Sequence, residues 1–142
     1  MYAVMPASDA MEIFLIDKEC FPTEFWSVEL IGKDMLHSEY FVLKEDDKTA
    51  GYVCVSTVLD EAELTRIAVR NQYRQCGVAT KLIEFVKKHL LQRGCKTLIL
   101  EVRTSNMPAR ALYSKMGFEV YASRKNYYHN PNEDALLMSL KI

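Results

Sequence analysis

Two stretches of this chain gather residue types that could do chemistry. The first is Val69-Arg70-Asn71-Gln72-Tyr73-Arg74-Gln75-Cys76-Gly77-Val78-Ala79-Thr80, which runs from an apolar strand through a glycine turn into an amphipathic helix. A helix start leaves its first N–H groups unpaired and carries partial positive charge. Gly77 lets an anion come close to that backbone, and Arg74 adds a charged donor capable of bidentate bonding. The turn can therefore hold phosphate, although its form alone reads equally well as a structural strand-to-helix connection. It is neither G-x-x-x-x-G-K-[ST] nor G-x-G-x-x-G, which argues against a nucleoside triphosphate or a Rossmann dinucleotide. The second stretch is Leu100-Glu101-Val102-Arg103-Thr104-Ser105-Asn106, followed by Tyr113. Glu101, near the end of an apolar strand, could take up a proton, and Tyr113, on the next helix, could give one. The alternatives are a paired, solvated carboxylate and an aromatic packed on the sheet. Asn106 suits a helix cap beside Pro108 or an amide that holds another amide.

These residues need a scaffold, and the hydrophobic pattern supplies one. Tyr2 to Met5 is a short apolar strand ended by Pro6. Ser8 or Asp9 then caps a helix carrying Met11, Phe14, Leu15 and Ile16, Phe21-Pro22 breaks it, and Ser27 caps a second helix through Val28, Leu30, Ile31 and Met35. Tyr40 to Leu43 and Gly51 to Leu59 form a hairpin, Asp60-Glu61-Ala62 turns the chain, and Leu64 to Val69 is the next strand. Ala79, Leu82, Ile83, Val86 and Leu90 recur at helical spacing, and Gly94 ends that helix. Thr97 to Val102 is apolar enough for the sheet interior, and Pro108 opens a short helix closed by Gly117. Phe118 to Ser123 and Ala135 to Leu140 are two last strands around a polar loop, Arg124 to Asp134. The order β-α-α-β-β-β-α-β-α-β-β predicts an α/β fold with a mixed sheet, in one domain over residues 1–142.

With the motifs and their scaffold in place, a resemblance emerges. R-x-x-G-x-A, present as Arg74, Gly77 and Ala79, resembles the acyl-CoA pyrophosphate loop of the GNAT acetyltransferases, and Ile67-Ala68-Val69 resembles the strand that splays to admit the pantetheine arm. Leu100 to Asn106 with Ala109, Ala111-Leu112-Tyr113 and Gly117-Phe118 is similar to the L-E-V-R-x-S-N…A-L-Y…G-F signature of the subgroup that acetylates the N-terminal alanine of a small-subunit ribosomal protein. Val58 to Ala62, Arg124 to Tyr128 and Glu133 to Ala135 extend the likeness over roughly Gly51 to Leu140. The resemblance implies a GNAT fold and acetyl-CoA as cosubstrate, with direct transfer in a ternary complex. It implies that Arg74, Gln75, Cys76, Gly77, Val78, Ala79 and Thr80 hold the pyrophosphate, and that the Ile67 to Val69 backbone and Asn106 hold the arm. Glu101 is then the base that deprotonates the acceptor amine, and Tyr113 is the acid that protonates the departing thiolate. Phe21, Pro22 and Trp26 on one side and Tyr127 and Tyr128 on the other resemble aromatic loops flanking a peptide groove. The chain departs from the family pattern once, where Phe-Pro-Trp-Ser becomes Phe21-Pro22-Thr23-Glu24-Phe25-Trp26-Ser27.

Composition narrows the remaining classes. The net charge of −1 gives no footprint for wholesale nucleic-acid binding, and no apolar run reaches the ~20 residues of a membrane span. Cys20, Cys54, Cys76 and Cys95 are widely separated, and His37, His89 and His129 lack ligand spacing, so no metal and a reducing, cytoplasmic setting are expected. Cys76 stands at a helix start, where thiols can be activated, but no His lies near it in sequence to make a catalytic pair. Acetylation of a small amine or a lysine side chain, and a non-catalytic acyl-CoA-binding domain, are the competing functions. The sequence does not fix an oligomeric state.

Overall fold

The computed structural model describes residues 1–142. Seven strands form one sheet in the order β1-β2-β3-β4-β5-β7-β6. The strands are β1 (Tyr2–Pro6), β2 (Glu39–Glu45), β3 (Lys48–Val58), β4 (Glu61–Val69), β5 (Thr97–Arg103), β6 (Glu119–Tyr128) and β7 (Glu133–Lys141). The helices are α1 (Ala10–Cys20), α2 (Val28–Asp34), α3 (Val78–Gln92) and α4 (Met107–Lys115), so the expected element order is the observed one, with a single 3₁₀ turn added at Asn71–Tyr73. Every strand pair is antiparallel except β4–β5.

Two apolar layers sandwich the sheet. Ile13, Ile16 and Ile31 of α1 and α2 pack on Tyr40, Val42, Tyr52, Cys54 and Ala68. On the opposite face Val78, Leu82, Ile83, Val86 and Leu90 of α3, with Tyr113 of α4, pack on Phe41, Leu43, Val53, Val55, Leu64, Leu98, Leu100 and Met138. The middle of β3, from Ala50 to Val55, is buried on both faces, which its continuous apolar run requires. In α1 the buried face is Ile13, Ile16 and Asp17, whereas Met11 and Leu15 point to solvent.

Strand ends shift from the sequence reading by up to three residues in β2, β3 and β7, and three further differences have a local reason. Pro6 lies inside β1, paired with Phe41, because β1 is a sheet edge where a missing N–H costs no ladder bond. Glu61 and Ala62 belong to β4 rather than to the turn, which tightens onto Leu59 at φ 57° and Asp60. β6 continues through Arg124 to Tyr128, a stretch expected as loop; an edge strand exposed on both faces has no apolar alternation to reveal it.

Candidate active site

β4 and β5 run side by side only at Glu61↔Thr97, Ala62↔Leu98 and Glu63↔Ile99, and no β4–β5 pairing extends beyond them. From Leu64 to Val69, β4 keeps its other neighbour β3. Arg70 N–H donates to Ala50 O at 2.8 Å, and stepping by two in the antiparallel register makes Ala68/Tyr52 and Arg66/Cys54 the hydrogen-bonded pairs. Ile67 and Val69 therefore aim their N–H and C=O groups into the slot left by β5, while those of Ala68 are taken up by β3. Val69 O accepts from Cys20 Sγ and from Arg74 Nε, each at 3.2 Å. Gly51 makes this register possible, because a Cβ there would meet Ala68 O at 2.6 Å.

The slot opens at one end onto the start of α3. Gly77 is the N-cap of that helix at φ 79°, with no side-chain cap and no acidic residue in the first turn. The N–H groups of Val78, Ala79 and Thr80 thus have no intrahelical partner, and Lys81 N–H is the first to bond back, to Gly77 O at 3.0 Å. A cleft of about 370 Å³ in front of them is lined by Val69, Tyr73, Arg74, Gln75, Gly77, Val78, Ala79 and Thr80, with Pro108 and Leu112 of α4 opposite. Cys76 is exposed, with its thiol 3.5 Å from Arg74 O, and does not line this cleft.

A second cleft, of about 290 Å³, brings Ile67, Glu101, Asn106, Tyr113, Phe21 and Tyr128 together with Glu24, Leu64, Thr65, Arg66, Val102 and Arg103. Glu101 is 3.4 Å from Arg124 on β6. Glu63 beside it is raised above the usual carboxylate range by burial and by the charge of Glu101. A hydrogen bond to Glu101, with some burial, likewise raises the Tyr127 phenol. Tyr113 packs its ring on Phe118 at 5.7 Å, and its hydroxyl makes no hydrogen bond within the protein. Burial pushes that phenol up to about 12, so it holds its proton at neutral pH. Burial and the charge of Glu101 push Tyr128 up to about 12 as well. Asn106 caps α4, its Oδ1 accepting from Ala109 N–H at 3.2 Å, which leaves the amide NH₂ without a protein partner.

The remaining aromatics are divided. Phe21 lines the second cleft and Pro22 an adjoining one, whereas Trp26 lines neither. Instead Phe21 and Trp26 clamp the guanidinium of Arg66, at 4.2 and 4.5 Å from the ring centroids. Arg66 forms a bidentate pair with Asp17, at 2.8 and 3.0 Å, and Asp17 also accepts from Tyr52 Oη at 2.5 Å and Trp26 N–H at 2.8 Å. Asp17 is fully buried, and this network fixes the loop between α1 and α2 over the slot. Neither charged residue is among the site residues expected from the sequence. The available signal was an acid on the Ile13/Ile16 face of α1 and a lone cation inside an apolar strand.

The profile of the acetyltransferase (GNAT) family matches residues 8–118. The [ribosomal protein bS18]-alanine N-acetyltransferase of Escherichia coli is 42% identical over 104 residues, 72% of this chain and 70% of that protein. The enzyme of the same name from Haemophilus influenzae is 40% identical over 119 residues, covering 80% of each. The crystal structure of the E. coli enzyme superposes with a TM-score of 0.93 at 33% identity, over 100% of this chain and 94% of that one.

Proposed function

This chain belongs to the GNAT acetyltransferase family, and we propose that it transfers the acetyl group of acetyl-CoA to the N-terminal alanine of a small-subunit ribosomal protein. The observation that carries the reading is the arrangement along the β4–β5 slot, with an uncapped helix start at one end and, further along, a pocket lined by the Glu101 carboxylate and the protonated Tyr113 phenol. The residues present fit the cosubstrate. Val78, Ala79 and Thr80 offer three unpaired N–H groups to a pyrophosphate, at a glycine whose missing Cβ leaves open space. Arg74, Gln75 and Cys76 complete that turn. Ile67 offers a backbone donor and acceptor, Val69 a backbone N–H, and Asn106 an amide, to a pantetheine arm.

When bound, acetyl-CoA supplies an acyl thioester open to attack by an amine. Glu101 takes the proton that an α-ammonium must lose before it can attack. Its present partner Arg124 is more than half exposed, so an incoming ammonium can replace it at small cost. Glu63 adds a second negative group beside Glu101 and draws the cationic acceptor toward it. Tyr113 Oη holds the proton that the departing sulfur needs. The N–H groups of Ile67 and Val69 face the same slot and stand ready to stabilise negative charge developing there.

Two relatives named as [ribosomal protein bS18]-alanine N-acetyltransferases support the acceptor, as do Phe21 and Tyr128 in the lining of the acceptor cleft. Mass-spectrometric rates for the purified protein with acetyl-CoA and matched N-terminal alanine peptides, internal-lysine peptides and polyamines test it. A clear preference for the alanine peptide is expected. Faster acetylation of a lysine side chain or a polyamine would overturn the acceptor assignment.

A further inference from the structure

Glu24 lies in the Thr23-Glu24-Phe25 segment that interrupts the family pattern, and the fold holds this segment at three points. Phe25 packs edge-on against Phe14 of α1 at 5.8 Å. Glu24 O accepts from Arg66 Nη2 at 3.0 Å, and Glu24 Oε1 accepts from Arg103 Nη2 at 3.1 Å. Arg103, the last residue of β5, also donates to His129 O at 3.2 Å, Pro131 O at 3.1 Å and Glu133 Oε1 at 3.4 Å, with its guanidinium 4.4 Å from the Tyr128 ring centroid. The Glu24–Arg103 pair therefore spans from the α1–α2 loop to the β6–β7 loop, across the mouth of the slot.

On one side of this span lies the cleft of about 290 Å³ that contains Glu101 and Tyr113. On the other lies a cleft of about 310 Å³ bounded by Pro22, Thr23, Ser105, Asn130, Pro131 and Glu133. Phe21, Glu24 and Arg103 are the residues common to both linings, so they are the wall between them. Within the wall, Arg103 keeps its other contacts if Glu24 withdraws, whereas the Glu24 carboxylate, on a side chain 47% exposed, is held by Arg103 alone. Glu24 is the removable part.

We propose that Glu24, braced by Arg103, is a specificity-determining residue that closes the acceptor cleft into a dead end and so restricts the first residue of the acceptor to a small side chain. The proposal rests on the N-terminal acetylation reading. With Glu24 removed, the inner cleft runs into the outer one, and a larger first side chain gains room.

The test compares kcat/KM for peptides of identical tail beginning with Ala, Met or Leu, in the wild type, Glu24→Ala and Glu24→Gln, with coenzyme A affinity and Tm as checks on folding. The expected result is a fall of about 10-fold or more in the Ala-over-Leu ratio for Glu24→Ala, the scale on which apolar pockets discriminate size. Glu24→Gln keeps the volume and loses the charge, so it should retain most of the preference. An unchanged ratio in Glu24→Ala, or an equal loss for every peptide, would overturn the proposal. Should Glu24→Ala fail to fold, Glu24→Ser decides: an Ala-over-Leu ratio unchanged from the wild type in that variant sinks it. If the wild type acetylates only lysines or polyamines, the acceptor assignment fails instead. The wall is then judged by an amine series of increasing width, where unchanged size selection in Glu24→Ala refutes it.

Discussion

Tyr113→Phe isolates one oxygen atom. The ring is buried, 6% exposed, and seated on Phe118, and its hydroxyl bonds to no protein group, so the substitution opens no sizeable cavity and orphans no partner. The stability change should stay under about 1.5 kcal/mol, the range of shape-conserving replacements. The rate is another matter. A positioned acid contributes about 10²–10⁴-fold, or roughly 2.7–5.5 kcal/mol of barrier at about 1.36 kcal/mol per tenfold. That loss should fall on kcat, with the coenzyme A Kd measured by calorimetry unchanged, because the hydroxyl acts on the leaving group rather than on binding. The pH profile adds a second check. A donor must be protonated, and Tyr113 is pushed up to about 12, so its donating form persists at every pH below that value. The wild-type rate should thus show no descending limb from this group below about pH 10, and raising the pH should not rescue the variant. Wild-type kcat in Tyr113→Phe across that range would refute the assignment and return Tyr113 to the role of a packed aromatic.

Glu101→Gln should lose about 10²–10⁴-fold at acidic to neutral pH and recover partly as the acceptor amine, with an ordinary pKa of about 7.7–8.0, deprotonates unaided; a uniform loss at all pH values would show that Glu101 does not act as the base. Arg74→Ala should weaken coenzyme A binding by about 10- to 100-fold, the loss of a charged hydrogen bond worth about 1.5–3 kcal/mol, while Tm moves little; an unchanged calorimetric Kd would remove this loop from the cofactor site. Asp17→Asn strands the Arg66 charge between Phe21 and Trp26, with an expected cost of about 3–5 kcal/mol in denaturant unfolding. A loss under about 1 kcal/mol would mean that the Asp17–Arg66 pair does not hold the α1–α2 loop in place.

Legibility in the sequence followed periodicity. α3 shows an apolar stripe repeated over 15 residues, and its buried face differs from the reading only in that Val78 points inward while Ala79 half-faces the cleft. The caps were visible as single residues: Asp9 accepts from Glu12 N–H at 2.9 Å and Ser27 from Leu30 N–H at 3.1 Å. Glu101 and Tyr113 could be picked out because a carboxylate in an apolar strand and a tyrosine on a following helix are chemically conspicuous. Asp17, Arg66, Glu24 and Arg103 act through partners far along the chain, and Arg66 reaches Asp17 across 49 positions. No local pattern announces such a pairing. The backbone contribution of Ala68 was likewise undecidable, because only the observed register shows that its N–H and C=O belong to β3.

The slot itself was written in the sequence in a form that is easy to pass over. In β4, Ala62 and Leu64 face the α3 layer, so strict alternation would send Arg66 and Ala68 to the same side. Ile67 and Val69 pack there instead, while Ala68 joins the α1 layer and Arg66 meets Asp17. The parity changes because β4 carries one extra residue, Thr65, between Leu64, opposite Val55, and Arg66, opposite Cys54. Thr65 Oγ1 ties the irregularity down by donating to Cys54 O at 3.2 Å. A bulge sharpens the local twist of its strand. The parallel pairing with β5 reaches no further than Glu63, just before the bulge, so the same insertion that turns Arg66 toward Asp17 also swings Ile67 and Val69 away from β5 and opens the slot. The alternation Ala62, Leu64, then Ile67, Val69 is the readable trace of that event: a break in period two inside an otherwise apolar strand, placed where the proposed chemistry uses backbone N–H groups released from β5.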